Sequence, residues 1–403
     1  MSANTESSNL DQMDFGSRQW MLLVLPLIIL AILIWMFVQL NPLQALIGAA
    51  PPVEELTIDR FTLSDDGIKA YVINGGPDPV TIAQVFVDEA YWNFSISPAA
   101  ELPRLGRAII DIPYPWVEGE AHEVVLVTNT GVTFDGAIDV ALETPIPGTD
   151  YWLMFAILGF YVGIVPVGLG LLWFPLLRRL GKKGINFILT LTVGLLVFLL
   201  ADTALEAIEI SEGLPEVFQA VPLIFFAGLL SFMALVAIGR KKETSTSDVP
   251  RNKRLWLATS IAIGIGLHNL GEGMAIGAAV ALGEAALGTF LVIGFTLHNL
   301  TEGIGIGAPV AKDRPGIGRL LGLAVIAGGP AILGTWIGGF AFSPFWAVIF
   351  LAIGTGAILQ VVYEVTRLLF DSNENHQLFT WPNIAGLTLG LGIMYLTALL
   401  VKF

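Results

Sequence analysis

A chain of 403 residues that is 55% hydrophobic and only 13% charged, with a mean hydropathy of +0.75, carries more apolar surface than a soluble core can hide. That composition marks a polytopic membrane protein. A formal net charge of −14 argues against nucleic acid as a partner and is compatible with cations. Cysteine is absent, which excludes disulfides and thiolate metal sites.

Residues 1–19 are polar, lack apolar periodicity and read as a disordered cytoplasmic tail. Residues 20–40 form an apolar run long enough to cross a bilayer. It exceeds the apolar region of a signal peptide and has only Arg18 before it, so it reads as an uncleaved anchor.

The texture then changes. Segments 56–63, 80–87 and 123–128 are short, alternating and rich in β-branched residues, with turn signals between them such as Asp65-Asp66-Gly67 and Asn129-Thr130-Gly131. Residues 51–148 therefore read as a small all-β sandwich of roughly seven strands outside the membrane. Its Asp59, Asp65, Asp66, Asp78, Asp88, Glu89 and His122 are scattered rather than clustered. The domain is thus expected to serve packing, dimerisation or an unknown partner rather than metal capture. Asn93-Phe94-Ser95 fits a glycosylation sequon.

After a Gly/Pro/Thr linker at 144–149, eight apolar segments follow, at about 151–176, 185–205, 217–239, 255–280, 286–310, 317–341, 344–368 and 380–401. With the anchor they make nine spans. Bases fall on one side: Arg178, Arg179, Lys182 and Lys183, then Arg240 to Arg254, then Lys312, Arg314 and Arg319. Glu209, Glu212, Glu216 and Glu284 fall on the other. A multi-pass protein of the cell membrane is expected, with the N-terminus cytoplasmic and both the β-domain and the C-terminus extracytoplasmic.

The most informative stretch is 255–310. His268-Asn269-Leu270-Gly271-Glu272-Gly273 returns as His298-Asn299-Leu300-Thr301-Glu302-Gly303, halfway along two consecutive spans. A helix puts residues i and i+4 on one face, so each copy presents a histidine with a glutamate. Ionisable groups at bilayer depth are costly and mark function. Hydrogen bonding between helices would not need charge. Two such pairs facing each other, with Asn269 and Asn299 as oxygen donors, suit zinc, iron(II), manganese or cobalt. The surrounding glycines would let helix backbones approach closely.

These motifs resemble those of the ZIP (Zrt/Irt-like) divalent-metal transporters. Ala201-Asp202-Thr203-Ala204-Leu205-Glu206-Ala207 is similar to the family's His-x-x-Pro-Glu-Ala, with Asp202 in place of histidine. The run from Gly356 through Gln360 to Glu364 also resembles the family's pattern. The resemblance covers residues 150–403 and implies an eight-helix unit carrying divalent metal toward the cytoplasm by an elevator-like motion, in a homodimer. It implies metal ligands at His268, Asn269, Glu272, His298, Asn299 and Glu302. Zinc stands first as substrate, with iron, manganese, cobalt and cadmium as further candidates.

Departures are visible. The proline usual in both motifs is Gly271 and Thr301, so any kink is expected from glycine. The sixth segment, around Gly328-Gly329-Pro330, lacks a carboxylate, which favours one metal over two. Asp202, Glu206, Gln360 and Glu364 are candidates for a metal pathway. The first two read equally as a solvated helix end, and Glu364 as an ion pair with Arg367. No enzyme activity is expected. An intramembrane metal-dependent hydrolase ranks second for want of a His-Glu-x-x-His run, and a receptor with a binding β-domain third.

Overall fold

The computed structural model describes residues 17–40, 53–245, 250–282, 285–313, 315–372 and 379–401. Residues 1–16, Glu284 and His376 lie outside them. The chain divides into two units, Met1–Val53 and Glu54–Phe403.

The first unit contains α1 (Ser17–Leu40), a helix with Pro26 inside it. Residues 24–37 are exposed without a polar stripe, as expected of a helix that meets lipid or another helix on every side. The helix begins at Ser17, so the end of the expected tail is already helical.

The second unit opens with nine strands, two more than the alternation predicts. They are β1 (Leu56–Ser64), β2 (Gly67–Asn74), β3 (Val80–Val87), β4 (Ala90–Trp92), β5 (Ser95–Ser97), β6 (Glu101–Leu102), β7 (Arg107–Ile112), β8 (His122–Thr128) and β9 (Thr133–Ile138). They form two antiparallel sheets, ordered β1-β2-β7-β5 and β4-β3-β8-β9, with β6 added to β3. Alternate residues fill the space between: Ile68, Ala70 and Val72; Ala108, Ile110 and Ile112; Val124 and Leu126. A register shift between Ile82 and Gln84 lets Ile82 and Val85, three apart, both face inward. Asp88 and Glu89 turn the β3–β4 hairpin with positive φ (50° and 63°). The Asp88 carboxylate holds that turn by accepting from the Glu123 N–H (3.0 Å), the Tyr114 hydroxyl (2.7 Å) and His122 Nδ1 (2.8 Å).

The helices follow: α2 (Thr149–Gly159), a π-helical turn (Phe160–Ile164), α3 (Val165–Leu171), α4 (Phe174–Leu177), α5 (Lys182–Glu212), a 3-10 turn (Glu216–Phe218), α6 (Ala220–Ser245), α7 (Pro250–Ala281), α8 (Ala285–Gly307), α9 (Ile317–Gly328), α10 (Pro330–Ala341), α11 (Pro344–Ser372) and α12 (Trp381–Val401). Among the described residues, six stretches are long and apolar enough to cross a membrane: Thr149–Leu177, Lys182–Ser211, Glu216–Gly239, Ile317–Ala341, Pro344–Phe370 and Trp381–Leu399. Between the third and the fourth run α7 and α8, which carry the duplicated motif.

Helix packing places the motif centrally. α7 lies chiefly along α10 and α11, and α8 along α3 and α7, while α5 packs on α11 and α12. Two approaches are close enough to require glycine. A Cβ at Gly273 would stand 2.2 Å from the Ala331 carbonyl oxygen, and one at Gly303 would stand 2.3 Å from that of Val167.

The β-domain sits at the end of the bundle where α5 gives way to α6 and α10 to α11. Glu55 Oε1 accepts from the Glu216 N–H (2.9 Å), and Arg60 Nη1 donates to the Phe342 carbonyl (2.5 Å).

Candidate metal centre

His268 and Glu272, one turn apart on α7, meet as the helical spacing predicts: His268 Nε2 lies 2.8 Å from Glu272 Oε1. His298, from α8, hydrogen-bonds the same oxygen. The donor atoms of these three side chains all lie within 4.8 Å of one another, and the two imidazole rings are 6.2 Å apart. All three side chains are buried. The second ring nitrogen of His268 is held by Thr203 Oγ1 of α5 at 3.0 Å, which fixes the ring's orientation.

The two asparagines are used alike. Asn269 Nδ2 donates to the Ala327 carbonyl at 3.0 Å, and Asn299 Nδ2 donates to the Val162 carbonyl at 3.1 Å and to Glu272 Oε2 at 3.2 Å. Val162 lies in the π turn, four residues before Pro166, whose ring has no N–H to return to it. Ala327 is the last residue but one of α9, three residues before Pro330. Each of these spans supplies a carbonyl that anchors one motif asparagine.

Both amide oxygens, Asn269 Oδ1 and Asn299 Oδ1, remain buried without a hydrogen-bond partner among the described residues, and so do both carboxylate oxygens of Glu302. Glu302 is buried on α8 and feels the charge of His298, Glu272 and His268. Unsatisfied buried oxygens of this kind are costly for a protein alone and are what a cation would complete.

Of the six expected ligand residues, His268, Glu272 and His298 place their donor atoms in one tight group, and Asn299 reaches that group through Glu272. Glu206, half-buried on α5, interacts electrostatically with His268, Glu272 and Asp202, which places it beside the centre. Asp202 stays outside the group of three. Glu364 stays outside too, and its carboxylate would stand 4.0 Å from a Cβ at Gly239 of α6.

α7 and α8 run unbroken through Gly271 and Thr301. Gly271 faces Leu351, and Thr301 Oγ1 donates back to the His298 carbonyl at 2.7 Å. In the neighbouring spans the hydrogen-bonding register changes at the π turn Phe160–Ile164, and the helix passes through Gly329-Pro330 with Gly329 still helical (φ −60°, ψ −39°). Sequence reasoning also missed Thr203 and the two anchoring carbonyls. Pro166 was the available signal for Val162, since a proline inside an apolar span frees the carbonyl four residues earlier; no such signal marks Ala327, three residues before Pro330.

No protein-family model matches the chain, and no curated protein matches it in sequence.

Proposed function

We propose that residues 150–403 form an eight-helix membrane unit of the ZIP type that passes divalent transition-metal ions toward the cytoplasm through this centre. The observation that carries the reading is the coexistence of a buried His268–Glu272–His298 group with four unpartnered oxygens, from Glu302, Asn269 and Asn299, at mid-helix. Two carboxylates offset the charge of one divalent ion, which answers the cost of holding it in low dielectric. Imidazole, carboxylate and amide oxygen favour zinc first, and iron(II), manganese, cobalt and cadmium as further substrates. Donors at about 2.0–2.2 Å from a tetrahedral zinc stand roughly 3.3 Å from one another, so Glu272 would exchange its hydrogen bonds to the two imidazoles for the ion and move slightly away from them. One ion rather than two is expected, because the stretch from Ala327 to Gly334 offers no carboxylate.

The experiment is uptake of zinc, iron(II), manganese and cadmium into liposomes holding the purified protein, beside a Glu272→Ala/Glu302→Ala double variant. Selective flux in the wild type, lost in the variant, is the expected result. Flux that survives in the variant would overturn the reading.

A further inference from the structure

The outward face of the β1-β2-β7-β5 sheet does not close completely on the bundle. Between them lies a cleft of about 440 Å³. Its sheet side presents Asp59, Arg60 and Arg107, and its bundle side presents Phe218, Phe345 and Trp346. Asp59 interacts with both arginines, so the three carry one net positive charge with the carboxylate ionised. Burial raises the Asp59 carboxyl above its usual range, against the pull of Arg60 and Arg107, which only adds to the positive character.

Arg60 is partly committed. Its Nη1 reaches the Phe342 carbonyl and its guanidinium lies 4.4 Å from the Tyr71 ring centre, but its Nε is buried without a partner among the described residues. Arg107 is exposed, and its side chain makes no hydrogen bond among the described residues. The cleft also has a defined depth. Two of the membrane-length stretches, Glu216–Gly239 and Pro344–Phe370, begin beside it, so it lies where those helices leave the apolar layer. Trp346, 53% exposed, marks the same level, as interfacial tryptophans do.

We propose that this cleft binds the phosphodiester headgroup of an anionic phospholipid from the adjoining leaflet, held by Arg107 and Arg60. Guanidinium groups match phosphate oxygens in planar, paired geometry. A single negative charge neutralises the excess of the three side chains. The volume falls in the range of about 300–1,000 Å³ typical of small-molecule sites and far exceeds what one phosphate ion needs. Asp59 suits a headgroup hydroxyl, and Phe345 and Trp346 suit the glycerol and the first methylenes. A lipid seated there bridges the β-domain to α11 and to the α5–α6 turn. The inference rests on the membrane-spanning character of the helices and not on the metal reading.

The test uses the full chain in detergent, followed by thermal melting and native mass spectrometry with phosphatidylglycerol, phosphatidylcholine or inorganic phosphate. Phosphatidylglycerol is expected to remain bound and to raise the melting temperature of the wild type, while inorganic phosphate does neither. Arg107→Gln should weaken retention at least fivefold and Arg107→Lys by less. Arg104→Gln, an exposed arginine outside the cleft, should change nothing. Equal retention by wild type and Arg107→Gln would overturn the site. An equal loss in Arg104→Gln would reduce it to general surface charge. Stabilisation by inorganic phosphate as strong as by phosphatidylglycerol would overturn the lipid as its occupant.

Discussion

Glu302 is the residue at which function and stability pull apart. Both its oxygens are buried without a partner among the described residues, so without metal it weakens the fold, while under the proposed function a bound ion would satisfy them. Glu302→Leu, similar in volume and apolar, is expected to stabilise the metal-free protein by about 1–3 kcal/mol. It should also abolish the rise in melting temperature that zinc gives the wild type. A Glu302→Leu protein less stable than wild type in the presence of chelator would show that the carboxylate has a structural partner. Asp88 is the opposite kind of carboxylate. Its slight burial works to raise its pKa, but the Glu123 N–H, the Tyr114 hydroxyl and His122 together bring it below the usual value. The sign follows from linkage: a carboxyl lowered on folding contributes stability above its unfolded pKa and loses it as pH falls through the folded one. The same contact pushes the Tyr114 hydroxyl up to about 12, through its bond to Asp88. Amide exchange in β3 and β8, corrected for intrinsic rates, should therefore be faster in Asp88→Asn than in wild type at pH 7. The difference should close as pH falls below the usual carboxylate range of about 4. A difference independent of pH would mean that the hydrogen-bond geometry, not the charge, holds the turn.

Among the elements, the contact of α3 with α8 sets how close the second motif comes to the broken first span. Gly303→Val must displace the Val167 backbone, and is expected to cost about 1–3 kcal/mol and to weaken metal binding with it. Gly322→Ala on α9 meets nothing within 4 Å and should instead gain up to about 1 kcal/mol from helix propensity. Melting of the two variants in detergent separates a packing glycine from a spare one; equal effects would contradict the geometry. Much of this level could be read from the residues. The i, i+4 spacing within each motif predicted that His268 and Glu272 meet, because a helix fixes that face whatever surrounds it. Period-two alternation predicted the long strands, but β5 and β6, three and two residues long, are too short to show a period. The π turn at Phe160–Ile164 was not legible either. In a uniformly apolar span the pattern is the same for either hydrogen-bonding register, and only Pro166 distinguishes them. Thr203 was invisible for a different reason: its value comes from α5 lying beside α7, and no local pattern encodes that neighbour.

For the whole molecule the open variable is the sign of one axis. α5 has 31 residues, so its ends stand about 46 Å apart, enough to place Lys182 and Glu212 on opposite sides of a hydrocarbon layer of about 30 Å. The β-domain is fixed to the Glu212 end, because Glu55 accepts from the Glu216 N–H. Arg178, Arg179, Lys182, Lys183, Lys312 and Arg319 are expected at the other end. There Arg254 is neutralised by Asp313 through contacts of 2.8 and 2.5 Å, but the remaining bases still exceed the acids. Positive charge is retained on the cytoplasmic side, so the β-domain is expected outside. A chain without cysteine makes the test direct, since each introduced thiol is the sole target. Asp66→Cys and Glu212→Cys should react with a membrane-impermeant maleimide in intact cells. Lys183→Cys and Lys312→Cys, exposed at the opposite end, should react only after the membrane is opened. The inverse pattern would turn the molecule over and place the β-domain, and the lipid cleft beneath it, in the cytoplasmic leaflet. The same direction of helical travel would then carry metal out of the cell.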